Sequence, residues 1–196
     1  MLHLVSAADG AEQYYTTATN ATAKESVTLT DATTDVTEVT INSGKIRTVF
    51  GGGENGRVYG KTNVNITGTT TQIGGDIDGK DWTGTIYGGV FGAGDGAGAY
   101  VFGGSNVTVT NGSIMQNVYG GGNQADLMGS TQVLLQGGDF QGNVFAGARM
   151  ANIFGYSYVN IDGANALNNI IINSVYGGND ISATAQASDT WAWTRA

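Results

Sequence analysis

The chain has 196 residues with no cysteine, no proline and a single histidine, His3. Without cysteine there are no disulfides and no thiolate metal sites. Cysteine-free chains are common among exported bacterial surface proteins, although an intracellular protein can equally lack the residue. One histidine, placed ahead of the repeats described below, argues against a Ser-His-Asp arrangement, a histidine metal cluster or an HExxH helix. Charge is also scarce: 12% of residues are charged, with 8 basic against 16 acidic for a net −8. Such a surface repels phosphate backbones and argues against nucleic-acid partners. No apolar run approaches the roughly 18–20 residues of a membrane span.

What fills the gap is glycine, with 33 residues, together with threonine and asparagine. Apolar residues make up 40%, enough for a core. The profile suits a β-rich protein whose surface is hydroxyl and amide rather than charge.

Internal repetition decides the fold. An aromatic–glycine step recurs in "VFGGGE", "IYGGV", "VYGGGN", "VFAGA" and "VYGGN". Anchors at Val49, Val118 and Val144 are followed nine residues later by Val58, Leu127 and Ile153, and six residues after that by Val64, Val133 and Val159. The last set opens short alternating strands, "VTIN", "VNIT", "VTVT", "VLLQ" and "VNID", whose starts lie 25, 43, 26 and 26 residues apart. Period-two alternation places Val39, Val64, Val107, Val133 and Val159 on one face, beside Ile41, Ile66, Val109, Leu135 and Ile161. Thr40, Asn65, Thr108 and Asn160 face the other way, with Leu134 as the apolar exception.

The expected fold is therefore all-β: a single-stranded, right-handed parallel β-helix (a β-solenoid) of about five coils, roughly 26 residues and three short strands per coil. A coil of that length measures roughly 85 Å around, a triangle with sides under about 30 Å. Stacked coils turn the aromatic–glycine step into a ladder of Phe50, Tyr87, Tyr119, Phe145 and Tyr176, at spacings that favour offset stacking. The glycines behind it, Gly51, Gly88, Gly120 and Gly177, together with Gly121, are read as corner residues that supply positive φ and close approach of coils. A second ladder is expected at Tyr59, Phe102, Met128 and Phe154, each followed by glycine.

Residues 1–35 read as an N-terminal extension, a partial first coil or a cap, 36–180 as coils, and 181–196 as a C-terminal cap with Trp191 and Trp193 or a truncated coil. Val5-Ser6-Ala7 resembles the end of an export signal whose apolar region is missing, and reads otherwise as a plain extension. The short stack looks like a section of a longer molecule. The 43-residue coil carries an insertion at 69–85 and a Gly/Ala-rich stretch at 92–99, and loops of this kind often carry function.

Reactive chemistry is sparse. "GGDIDGKD" lacks the Ser or Thr and the following helix of a phosphate loop. Glu54, Asp95 and Asp126 read as sharing no register, so no repeated calcium array, metal site or cofactor is expected. Asp76, Asp78, Asp81 and Trp82 form the one acidic cluster beside an aromatic platform, an arrangement able to bind or cleave sugars. The plainer account of these four residues is a solvated hairpin loop. The outward Thr and Asn columns are too irregular for the flat arrays of an ice-binding surface, which stays as a further alternative.

"NVTVTNGSIMQNVYGGG" followed by "GSTQVLLQGGDFQGNVFAGA" resembles the Gly/Thr/Asn-rich repeats of bacterial surface adhesin-like and autotransporter-passenger β-helices, over roughly residues 36–180. The resemblance implies a non-enzymatic stalk or adhesive surface, at the cell surface or outside it, with glycans or host-surface molecules as partners. It carries over no catalytic residue. The alternatives are a carbohydrate-binding or carbohydrate-active module using the 76–82 loop, and a phage receptor-binding fibre, for which trimerisation would be diagnostic. The sequence leaves the oligomeric state open.

Overall fold

The computed structural model of the chain describes residues 3–6, 12–15, 26–28, 36–76, 88–163 and 170–181. Strands dominate these segments, and among the described residues there is no α-helix. Strands β1 (His3–Ser6), β2 (Glu12–Tyr15) and β3 (Ser26–Thr28) form an antiparallel sheet of their own, and so make no turn of the parallel stack.

The rest is a parallel β-helix with three walls. The first wall stacks β4 (Val36–Ile41), β7 (Lys61–Ile66), β10 (Ser105–Val109), β13 (Thr131–Leu135) and β16 (Ser157–Ile161). The second stacks β5 (Lys45–Ile46), β8 (Gln72–Ile73), β11 (Ser113–Ile114) and β14 (Asp139–Phe140). The third stacks β6 (Thr48–Phe50), β9 (Gly89–Phe91), β12 (Asn117–Tyr119), β15 (Val144–Phe145) and β17 (Val175–Tyr176). Single bridges join Val58, Val101, Leu127 and Ile153 at the remaining corner.

Register follows the sequence alternation. Val39, Val64, Val107, Val133 and Val159 lie over one another, as do Ile41, Ile66, Val109, Leu135 and Ile161. Both columns point inward with Ile73, Ile114, Val90, Val118 and Val144 to form one core. Each such side chain contributes about 1.5–3 kcal/mol when fully removed from water. A hydroxyl seam closes the coils from inside: the Oγ1 atoms of Thr37, Thr62 and Thr131 donate to the carbonyls of Gly51, Gly92 and Ala146 at 3.0, 2.5 and 2.6 Å, and Ser105 donates equivalently to Gly120. Thr62, Ser105 and Thr131 are buried in register with their own acceptors, which removes the cost of placing their hydroxyls in the core, while Thr37 in the first coil is exposed.

The register relocates the insertion. β8 takes its place in the second wall and Val90-Phe91 in the third, so most of the extra length falls between Ile73 and Val90. Of the stretch read as 69–85, residues 69–76 belong to the ordinary coil, and 77–87 lie outside the described residues. The Gly/Ala-rich 92–99 segment lies at the corner that every coil has, where it adds about two residues to the nine that separate the aligned anchors in neighbouring coils, with the Ala93 N–H donating to Gly121 O at 3.3 Å and the Gly52 N–H to Ala93 O at 3.2 Å.

The two ends of the stack differ. In the first coil Ile41 and Val49 are 8% and 4% exposed, whereas their counterparts in the last coil, Ile161 and Val175, are 46% and 44% exposed. The expected C-terminal cap, beyond Ile181, lies outside the described residues.

Glycine acts differently from the sequence-based expectation. A positive-φ glycine recurs between the first and second walls, at Gly44, Gly112 and Gly138 (φ 103°, 99° and 110°), and others sit after the second wall at Gly74 and Gly75, in the third wall at Gly89 and before the first wall at Gly104. Gly51, Gly120 and Gly121 do not adopt positive φ; their requirement is room. A Cβ at Gly51, Gly92 or Gly120 would lie 2.1–2.2 Å from a backbone carbonyl oxygen of the next coil. Among the described coils this column holds alanine at Ala146 alone. Gly120→Val should therefore destabilise the fold by at least about 2 kcal/mol through overpacking. Gly56→Ala, in open space, should raise stability by about 0.4–1 kcal/mol. Urea midpoints of the two variants check this; equal midpoints would count against close coil approach as the role of the column.

Candidate functional site

Three features compete as sites: the ring ladder with its polar neighbours, the acidic loop, and a trough at the corner before the first wall.

Phe50, Phe91, Tyr119, Phe145 and Tyr176 stack with centroids 4.8, 4.7, 5.1 and 4.8 Å apart and ring planes within 12°. The second-coil ring is Phe91, where the sequence pattern pointed to Tyr87. Two aromatic–glycine steps lie four residues apart there, and the hydrogen-bond register selects the second, pairing Phe91 with both Phe50 and Tyr119. The corner glycine is accordingly Gly92 rather than Gly88, and Tyr87 falls outside the described residues. The middle rings Phe91, Tyr119 and Phe145 are buried, so the ladder holds the wall together and does not face ligands.

Beside it runs a polar column that the sequence reading missed. Backbone N–H groups of Asp95, Asn123, Arg149 and Asp180 donate to Gly53, Gly94, Gly122 and Ala148 carbonyls at 2.9–3.0 Å, which places Glu54, Asp95, Asn123, Arg149 and Asp180 over one another. This corrects the expectation that Glu54 and Asp95 share no register. The backbone supplied that register through glycine-rich corners in which no side-chain periodicity is visible. Asn123 Nδ2 donates to Asp95 Oδ1 at 2.7 Å, and Arg149 donates to Asn123 Oδ1 at 3.0 Å. The Tyr119 hydroxyl donates to Asp180 Oδ2 at 2.7 Å and accepts from Asn117 Nδ2 at 2.9 Å. The half-buried Asp95 carboxylate, the buried Asn123 amide and the buried Arg149 guanidinium are thus linked along the axis, a structural role. Among the described residues no group of three His, Asp or Glu could hold a metal ion.

Of the acidic cluster, Asp78, Asp81 and Trp82 lie outside the described residues. Asp76 is exposed, and its carbonyl accepts from Gln72 Nε2 at 3.0 Å.

The third feature is open to solvent. A trough of about 810 Å³ is lined by Lys61, Gly103–Asn106, Gly129–Gln132 and Tyr158–Asn160. Its floor is backbone. A Cβ at Gly103, Gly129 or Gly155 would come within 2.5–2.6 Å of main-chain atoms of the neighbouring coil, so this corner excludes side chains. One flank is the outward column Asn63, Asn106, Gln132 and Tyr158, in which Asn106 Nδ2 donates to Asn63 Oδ1 at 2.9 Å. The residues immediately before the corner glycines form the second predicted ladder, Tyr59, Phe102, Met128 and Phe154, of which Tyr59 and Phe102 stack at 5.3 Å. Phe154, Tyr156 and Tyr158 are 46%, 59% and 54% exposed, with the two tyrosine rings 6.4 Å apart. Lys61 is the one charged residue in the lining.

Compared with protein-family models, with curated proteins and with solved structures, the chain matches none of them.

Burial raises the Tyr119 phenol well above the ordinary tyrosine value near 10, and the Asp180 carboxylate raises it further, against smaller opposing effects of Asn117 and Arg149. Because the folded state holds this proton more tightly, its contribution to stability is complete below about pH 10 and is lost as pH rises further. Tyr119→Phe, matching the phenylalanines already present in the column, should lower stability by about 1 kcal/mol at neutral pH. It should also flatten the alkaline decline relative to the parent chain. Urea midpoints between about pH 8 and 11 test both, and parallel curves for the two proteins would refute the assignment.

Proposed function

We propose that the chain is a non-enzymatic structural and adhesive β-solenoid segment of an extracellular bacterial surface protein. The observation that carries this reading is what repeats. The residues that recur in register from coil to coil are aliphatic, aromatic, glycine and hydroxyl groups with structural partners. No reactive group recurs with them in the described coils. An enzyme on this scaffold would need a cluster of nucleophile, acid or metal ligand at one level. Asp95, Asn123 and Arg149 hydrogen-bond to one another along the column.

Rigidity is the mechanism. Each coil is tied to its neighbours on three walls, so the outer surface is held as a fixed, weakly charged array of amides and hydroxyls. A stack of this kind carries a surface away from its point of attachment and presents it without an ordering cost at each encounter. Export and surface location fit the cysteine-free, low-charge composition and the resemblance of the repeats to surface β-helices.

Incubation with a broad panel of polysaccharides and oligosaccharides should release no reducing ends above the blank. Saturable hydrolysis of any member would overturn the non-enzymatic reading.

A further inference from the structure

We propose that the trough between the corner glycines and the first wall binds a neutral oligosaccharide lying along the solenoid axis. The proposal rests on the reading of the chain as a non-catalytic display scaffold and gives that scaffold a ligand class.

Tyr158 in the lining is 54% exposed, and Phe154 and Tyr156 just ahead of it are 46% and 59% exposed, with the Tyr156 and Tyr158 rings 6.4 Å apart and tilted by 45°. Tyrosine combines a flat apolar face with a polar tip and suits a partner that is itself apolar on its ring faces and polar at its rim. Pyranose rings have that character. The lining supplies Asn106, Gln132 and Asn160, carboxamides that donate and accept together, with the hydroxyls of Ser130 and Tyr158. Paired donor and acceptor groups match vicinal sugar hydroxyls. The volume, about 810 Å³, lies in the range of sites for ligands of this size.

The same lining excludes other classes. It contains no carboxylate, so it provides neither a cation site nor the acid pair of a glycosidase. One lysine on a chain of net −8 does not favour a polyanion. An extended peptide would need an open sheet edge to pair with: β7, β10 and β13 are paired to both neighbouring coils, whereas β16 is paired to β13 alone among the described strands, so peptide binding is set against sugar binding in the test.

Calorimetric titration of the full chain with cellohexaose, maltohexaose and xylohexaose tests the site, alongside hexagalacturonate and a pool of extended peptides. At least one neutral hexasaccharide should bind. Tyr158→Ala and Gln132→Ala should each weaken that binding by about tenfold, equivalent to about 1.4 kcal/mol. Tyr158 is more than half exposed, so the variants should keep the parent circular dichroism spectrum and melting curve. The trough is overturned if no neutral hexasaccharide binds at millimolar concentration, if only hexagalacturonate or peptide binds, or if both variants bind as the parent does. Loss of binding in Trp82→Ala with retention in Tyr158→Ala would also overturn it, assigning the sugar to the 76–82 loop. Cleavage of a bound hexasaccharide that is weakened by Tyr158→Ala would keep the trough and sink the non-catalytic reading, while absence of binding leaves that reading standing.

Discussion

Parallel hydrogen bonding between successive coils is the constraint from which the rest of this structure follows. It sets adjacent layers about 4.8 Å apart and holds the register, so each side chain has its own counterpart as neighbour above and below. A residue type is therefore tested against itself. Valine and isoleucine pass by packing into continuous columns, and phenylalanine and tyrosine pass by stacking nearly coplanar rings. Glycine passes where the backbone of one coil comes too near the next for any Cβ.

Charge fails this self-test. Two like charges about 5 Å apart near a protein surface repel by about 3 kcal/mol, and a charged column repeats that cost at every layer. The composition, with 12% charged residues and an abundance of threonine and asparagine, is what the geometry demands. Amides escape the penalty because each both donates and accepts, as the Asn106–Asn63 bond does on the outer wall. In the column beside the ring ladder the like charges Glu54 and Asp95 meet toward the solvent side, and the sign changes through the buried amide Asn123 to the buried Arg149.

Glycine columns link stability to surface shape. At the corner before the first wall, the close approach that excludes side chains also leaves a backbone floor between a flank of carboxamides and the ladder ahead of the glycines. A recess running across several coils is thus a by-product of tight stacking. Its chemistry is set by the outward residues, which the core leaves free to vary.

The strand alternation and the spacing of apolar anchors determined the parallel β-helix, its three walls and its inward columns, because each repeat unit obeys the same local period. The two predicted ring ladders were equally legible wherever one aromatic–glycine step occurs per coil. Where two steps compete, at Tyr87 and Phe91, local pattern cannot choose between them; the choice belongs to hydrogen bonding with the coils on either side. Tertiary structure alone assigned the recurring positive-φ turn to Gly44, Gly112 and Gly138 and close approach to Gly51, Gly92 and Gly120, since both uses look identical in sequence. It alone aligned Glu54, Asp95, Asn123, Arg149 and Asp180 through glycine-rich corners with no periodicity of their own. The trough likewise exists only once residues from four coils meet, because a concave surface is a property of stacking rather than of any single repeat.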